Sequence, residues 1–463
     1  MFKVFAHHVK TLTVVEFLAD VALCFLACII ASNQSLAFRD SNGHVDTAQI
    51  TLFASQFACL MAMMYSFVGL YRRNVVTSSF ANRLRRALMA VAIGAVIAYV
   101  LLSPNQRGGH LDLLVRAVAY VTLGVVVIRS VSFTAHRKTA HARRVLIIGT
   151  GSEAQLVAGD LETPGAMQGT VIGFYPVVDD NTAVGPRVLP RTKSIDETVR
   201  EHRIDDVVVA VRELRGGAVP MDQLLACRIR GVRIMDLAGF YELAYGEVPT
   251  NSLKASYLVY GQGFVQSWMR RATKRVFDIV CATLLLLLAL PVMLCTMLLI
   301  SLESGGPIFY LQERVGKGGR PFMCTKFRSM RSDAEKNGVA QWATKNDSRV
   351  TRVGAFIRKT RIDELPQLWS VLRGEMSMVG PRPERPSFVE TLRGQIPFYD
   401  IRHSVKPGVT GWAQVRYGYC ASIEDSRRKH QFDLYYVKNN SMMLDLMVLL
   451  ETVSVVVFRE GSQ

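Results

Sequence analysis

The stretch RKTRIDELPQLWSVLRGEMSMVGPRP, residues 358–383, places two adjacent carboxylates, Asp363 and Glu364, among the fixed positive charges of Arg358, Lys359 and Arg361, and Arg382 follows between two prolines. This is the composition of a phosphate-handling site. A carboxylate can attack phosphorus or hold a divalent cation, and guanidinium groups grip phosphate oxygens in pairs. A plainer reading competes: Asp363 is a helix cap, because Pro366 suits a first helical turn and helix starts favour acids. The dyad alone leaves both open, and the flanking chain has to weigh them.

On the upstream side, PIFYLQERVGKGGRPFMCTKFRSM, residues 307–330, reads as an extended hairpin around a glycine-rich turn at 316–319. It returns Lys326 and Arg328 toward the basic cluster, although a solvated surface charge is the favoured reading of Arg328. Downstream, KPGVTG at 406–411 reads as a rigid turn, a seat for a uridine or sugar or a turn alone. MMLDLMVLLETVSVVVF, residues 442–458, has helical periodicity suited to a core or to the headgroup plane.

Further upstream, residues 279–302 are apolar throughout, yet basic residues lie on both sides: Arg270, Arg271, Lys274 and Arg275 before, Arg314, Lys317 and Arg320 after. Positive charge on both flanks resists crossing. Pro291 divides the run into halves each about 18 Å long as helix, too short for a hydrocarbon core of roughly 30 Å, and removes a helical hydrogen bond at Leu287. The segment is expected to enter the bilayer and turn back.

Before it, VLIIGTGSEA at 145–154 is a buried-strand pattern ending in a GxGxxA turn, with further strands expected at 171–175, 205–211 and 231–237. This is half of a Rossmann-type unit. Its second strand ends in Tyr175 and Pro176, where a dinucleotide site wants a carboxylate for the ribose, so a degenerate or regulatory module is the expected reading. The first third holds four apolar stretches, roughly 14–31, 50–71, 87–102 and 113–133, each near the length of a spanning helix. The loop between the second and third carries Arg72, Arg73, Arg83, Arg85 and Arg86, which assigns it to the cytoplasm by the positive-inside rule. Glu16 and Asp20, four apart, are expected near the cytoplasmic end of the first helix or facing a neighbouring one.

The 463-residue chain is 50% hydrophobic with formal charge +17, and residues 265–463 hold 29 Lys plus Arg against 18 Asp plus Glu. Such an excess suits anionic partners; no nucleic-acid recognition module stands out, so nucleic acid is the weakest of them. The eight cysteines show no CxxC pair and imply neither zinc nor a disulfide framework.

QERVGKGGRPF, KFRSM, TRVGAFIRKTRIDELPQLWSVLRGEMSMVGPRP and KPGVTGWAQV, in that order, resemble the bacterial sugar transferase signature of the monotopic phosphoglycosyl transferases over about the last 200 residues. With four spans and a Rossmann-like module in front, the chain resembles the long form, the polyprenyl glycosylphosphotransferases of exopolysaccharide and O-antigen synthesis. The resemblance implies transfer of a sugar phosphate from a UDP-sugar, commonly of glucose or galactose, to undecaprenyl phosphate with release of UMP and with Mg²⁺ as cofactor. In that pattern Asp363 matches the nucleophile and Glu364 its metal-associated partner. Arg358 and Arg382 match the phosphate-binding arginines, Lys326 is a further member, and Pro291 is the structural helix break. The family's Ser-Pro at that break is Leu290-Pro291 here. Among arginines at a helix start, Asp363 is expected to stay ionised.

The expected architecture is a membrane α-helical bundle of four spans (1–138), a Rossmann-like α/β domain (139–245), a linker (246–264) and an α/β monotopic catalytic domain (265–463) with a re-entrant membrane helix at 276–302. The location to expect is the bacterial inner membrane, with the catalytic domain cytoplasmic. Partners to expect are the lipid bilayer, a homodimer and other polysaccharide assembly proteins. Two other classes compete. A membrane-tethered nucleotide-sugar dehydratase or epimerase needs Tyr-x-x-x-Lys, and no Lys in this chain has a Tyr four residues before it. A non-catalytic scaffold has no use for the dyad.

Overall fold

The computed structural model describes residues 2–4, 7–9, 11–34, 47–71, 80–102, 109–140, 143–162, 169–177, 187–211, 219–250, 258, 263–264, 266–331, 349–418 and 422–458. The expected linker and the basic positions Arg72 and Arg73 lie largely or wholly outside them. The chain divides into two compact units, the first running to Tyr245 and the second from Gly246 onward.

The first unit opens with four apolar helices, α1 (Thr11–Gln34), α2 (Thr47–Phe67), α3 (Phe80–Leu102) and α4 (Gly109–Ala140), each long and apolar enough to cross a membrane. Helix α1 packs on α2 and α4, and α3 packs on those same two, which closes the bundle. Glu16 and Asp20 face α4: both pair with the buried Arg129, at 3.2 Å for Glu16, and Tyr71 donates to Asp20 at 2.6 Å. Charge in an apolar bundle is kept by mutual pairing.

The same unit holds an α/β domain. Strands β1 (Arg144–Ile148), β2 (Thr170–Tyr175), β3 (Asp206–Val209) and β4 (Arg233–Asp236) form a parallel sheet in the order β2-β1-β3-β4. The strands are apolar almost without interruption because both faces are covered. Val145, Ile147 and Val208 meet helices α5 (Ser152–Glu162) and α8 (Leu237–Tyr245), whereas Leu146, Ile148 and Val209 meet α6 (Ile195–Glu201) and α7 (Met221–Ile229). In the glycine turn Gly149 has φ +114°, and a Cβ there would lie 2.9 Å from the Ala210 carbonyl oxygen. Only glycine suits that position.

The second unit begins with helix α9 (Trp268–Ser304), followed by the antiparallel hairpin of β5 (Phe309–Val315) and β6 (Pro321–Phe327) around a 3₁₀ turn at Lys317–Gly319. Helix α10 (Arg352–Lys359), a 3₁₀ turn (Ile362–Glu364), α11 (Gln367–Arg373), β7 (Ser377–Val379) and α12 (Pro386–Gln395) come next. A 3₁₀ turn (Tyr399–Ser404), β8 (Gly408–Thr410), α13 (Trp412–Arg416), α14 (Ile423–Asn439) and α15 (Met442–Phe458) complete the unit. Leu368, Val371, Met376, Val379, Trp412, Tyr435, Leu444 and Val448 form its core.

Three expectations change here. First, α9 continues as one helix through Pro291 rather than breaking into two segments. Its two ends nonetheless rest on the same unit. At the start Lys274 Nζ lies 2.8 Å from Asp445, Arg275 donates to the Val371 and Leu372 carbonyls, and Asp278 accepts from the Met378 amide at 3.0 Å. At the end Glu303 accepts from the Arg352 amide at 2.8 Å, at the positive end of α10. Second, KPGVTG is no isolated turn, because residues 408–410 form β8, paired parallel with β7. Third, Arg328 is no solvated charge: it is buried and donates to Ser304 Oγ at 2.5 Å and to the Gly305 carbonyl, satisfying the open C-terminal end of α9.

Candidate active site

Helix α10 stops at Thr360, and Arg361 then takes a left-handed conformation, φ 60° and ψ 15°, that few non-glycine residues adopt. The chain thereby reverses into the short turn carrying Asp363 and Glu364, then enters α11 through Leu365 and Pro366. Asp363 caps neither element. Arg361 and Pro366 hold the cap positions without side-chain cap bonds, and Asp363 Oδ1 is buried with no hydrogen-bond partner among the described residues. A buried carboxylate oxygen left open is costly, and it marks a position kept for something other than stability.

Glu364 is almost fully buried, and three cations converge on its Oε1: Arg382 Nη2 at 2.6 Å, Lys326 Nζ at 3.3 Å and Arg361 Nη1 at 3.6 Å. Each comes from a different element. Lys326 stands on β6, returned by the hairpin; Arg361 stands on the reversal after α10; Arg382 stands on the turn between β7 and α12.

Burial favours a protonated Glu364, but Arg382, Lys326 and Arg361 overcome it and hold the carboxyl well below the usual range. Asp363 goes the other way: burial, then the charge of Glu364, push its carboxyl up to about 6 against Lys326, Arg361 and Arg382. Asp363 stays mostly ionised at neutral pH, as expected, but the arginines favour its neighbour, so its carboxyl titrates higher than an ordinary Asp. Burial also lowers the Lys326 amine, opposed by Glu364.

Arg358 sits half-buried in the last turn of α10, and among the described residues no ion pair joins it to Asp363 or Glu364. Pro291 lies within α9 and is no part of this cluster. Sequence reasoning placed Arg314 only in the basic flank of 279–302 and gave Arg402 no role, yet the side chains of both reach the turn bearing Arg382. Their separation from Arg382 along the chain hides them, and only the fold brings them there.

Among the described residues no group of three or more His, Cys, Asp or Glu has the arrangement of a protein-built metal cage. Mg²⁺ asks for less, since it binds through one or two carboxylates, waters and substrate phosphates. The open Oδ1 of Asp363 and a Glu364 whose ion pairs all fall on Oε1 fit that demand.

The bacterial sugar transferase family model matches residues 269–459. The chain is 43% identical over 240 residues to the UDP-N-acetylgalactosamine-undecaprenyl-phosphate N-acetylgalactosaminephosphotransferase of Aeromonas hydrophila, covering 52% of this chain and 56% of that protein. It is 45% identical over 189 residues to the UDP-glucose:undecaprenyl-phosphate glucose-1-phosphate transferase of Escherichia coli K12, 40% of each chain. With the UDP-galactose-lipid carrier transferase of Erwinia amylovora it shares 34% identity over 352 residues, 71% of each. The matched stretch spans about half the length of the first two relatives.

Proposed function

Because the chain belongs to the bacterial sugar transferase family, we propose that it transfers a hexose 1-phosphate from a UDP-sugar to undecaprenyl phosphate, releasing UMP and giving undecaprenyl-diphospho-sugar, the initiating step of exopolysaccharide or O-antigen synthesis. The observation that carries this reading is the buried, unpartnered Oδ1 of Asp363 beside a Glu364 that three cations hold ionised. Asp363 attacks the sugar-bearing phosphorus, the bond to the bridging oxygen breaks, and UMP leaves with that electron pair. The aspartyl-phosphosugar so formed is attacked at phosphorus by an oxygen of undecaprenyl phosphate, which returns Asp363 as a carboxylate. Arg382, Arg361 and Lys326 neutralise the diphosphate as it approaches, and Arg358 grips phosphate oxygens from the end of α10. Mg²⁺, held by Glu364, would supply further neutralisation of the diphosphate and the departing UMP.

The sugar is a hexose or its N-acetylamino derivative, the range covered by the relatives' names. In this reading α1 to α4 are four spans of the bacterial inner membrane, β1 to β4 a degenerate Rossmann-like unit, and the second unit cytoplasmic. Helix α9 enters one leaflet without crossing: its outward leucines Leu287, Leu288, Leu298 and Leu302 are open to lipid, while both its ends stay with the basic domain at the headgroup plane.

The test omits the lipid acceptor. Protein incubated with UDP-sugars labelled in the sugar is expected to release UMP once per site and to retain label on the peptide containing Asp363. An Asp363→Asn protein that turns over at near wild-type rate would sink the covalent step.

A further inference from the structure

The turn Pro381-Arg382-Pro383 cannot join a ladder through its own amides, because two of its three residues have no N–H. It is held by its carbonyls instead. Pro381 O accepts from the Gly408 amide at 3.0 Å and Glu384 O from the Val315 amide at 2.9 Å. Between them Arg382 O accepts from Arg402 Nη2 and Pro383 O from Arg314 Nη1, both at 2.9 Å. Four consecutive carbonyls are thus tied, the middle two by arginine side chains.

Arg402 is itself fixed. Its Nε and Nη2 lie 3.1 and 2.8 Å from Asp433 Oδ2, its Nη1 donates to the Tyr399 hydroxyl at 2.6 Å, and the guanidinium stands 5.0 Å from the Tyr399 ring centre. Both Arg402 and Asp433 are nearly inaccessible to solvent. Behind the turn, lined by Pro381, Arg382, Pro383 and Arg402, remains a cavity of about 10 Å³, room for roughly one water at most. Four tied carbonyls hold the turn, and with it Arg382, in one place.

We infer that Arg402, seated by Asp433, and Arg314 are positioning residues that clamp the backbone around Arg382 and so aim its guanidinium at Glu364 and at the diphosphate of the nucleotide sugar. The inference rests on the reading of the Asp363 site given above. Neither arginine touches substrate; each acts through Arg382.

The test uses the full-length protein in detergent, with UMP release measured against UDP-sugar concentration. Asp433→Asn alone leaves a buried cation, so the paired variant Arg402→Met/Asp433→Leu removes the charges together. Arg314→Gln is the second, independent variant. Each is expected to melt near wild type while kcat/KM for the UDP-sugar falls by about 100-fold, the usual consequence of misplacing a binding group by an ångström. Arg314→Lys, which keeps one donor, should recover most of that loss. Added to Arg382→Lys, either variant should cost less than about threefold more, since both act through one side chain. Clamp variants that stay folded with kcat and KM near wild type, or whose losses multiply with that of Arg382→Lys, overturn the inference. If the paired variant does not fold, Arg314→Gln decides by the same criteria. Asp363→Asn run alongside separates the two levels: an inactive Asp363→Asn beside normal clamp variants removes the clamp alone, whereas an active one removes the reading beneath it.

Discussion

Asp363 and Glu364 are neighbours in sequence and opposites in electrostatics. The same three cations serve both, but they sit on Glu364 Oε1, so one carboxyl is held far down while the other is pushed up to about 6. A more basic carboxylate is a better nucleophile, and Lys326, Arg361 and Arg382 only partly offset the burial and the Glu364 charge that raise it. Glu364→Gln keeps the volume and removes the charge that gathers Lys326, Arg361 and Arg382. The expected result is a fall in turnover of at least about 100-fold with weakened Mg²⁺ dependence, read from UMP release across a Mg²⁺ titration. Near wild-type turnover with an unchanged Mg²⁺ response would show that Glu364 is only a structural counterion.

Among the elements, α9 asks most of the chain, since an apolar helix with its leucines exposed must keep both ends on one domain. Lys274 and Arg275 anchor the first end, Glu303 and Arg328 the last. Single cysteines in place of the exposed Arg271 and Lys317, in an otherwise cysteine-free chain, are therefore expected to label from the same face of sealed membrane vesicles. Labelling from opposite faces would make α9 an ordinary fifth span. How much of this was legible in the sequence varies with locality. The apolar helices, the parallel strands of the α/β domain and the hairpin returning Lys326 carry their own periodicity and turn residues, and they appear in the fold. Strand β8 reads as a turn in the sequence because its partner lies some 30 residues away, and its glycines speak of close approach only once β7 is in place. A Cβ at Gly408 would lie 2.1 Å from the Gly380 amide nitrogen. Arg328, two residues beyond Lys326, reads as exposed in the sequence because its partner is the end of α9, which no local pattern announces. The opposite pKa shifts of the dyad are hidden for the same reason: they depend on which oxygen the cations reach.

At the scale of the whole molecule, the second unit buries ionisable groups of both signs, and their pKa directions set how its stability responds to acid. His430 is fully buried beside Tyr399, ring centres 5.2 Å apart, and burial followed by the charges of Arg402 and His403 lowers it to about 3. His403 is lowered to about 4 by burial and by Arg402, against the pull of Asp400. Both are neutral in the folded protein and charge readily once it unfolds. The unfolded chain therefore binds more protons as pH falls below about 6.5, and stability present above that value is lost progressively toward pH 4. The buried Asp433 and Asp445 are shifted upward, mainly by burial, and oppose the loss, since a raised carboxyl binds its proton more readily in the fold. Glu364, held low, adds to the loss only where ordinary carboxylates titrate, below about pH 4.5. Between 6.5 and 4.5 the histidines supply the loss, while Asp363, whose carboxyl is pushed up to about 6, takes up its proton in the folded protein and opposes it together with Asp433 and Asp445. His430→Phe keeps an aromatic ring against Tyr399 and removes the titration. The melting temperature of wild type should fall from pH 7 to pH 5 more steeply than that of His430→Phe, measured in one detergent at constant ionic strength. Parallel curves for the two proteins would assign the acid response to other groups.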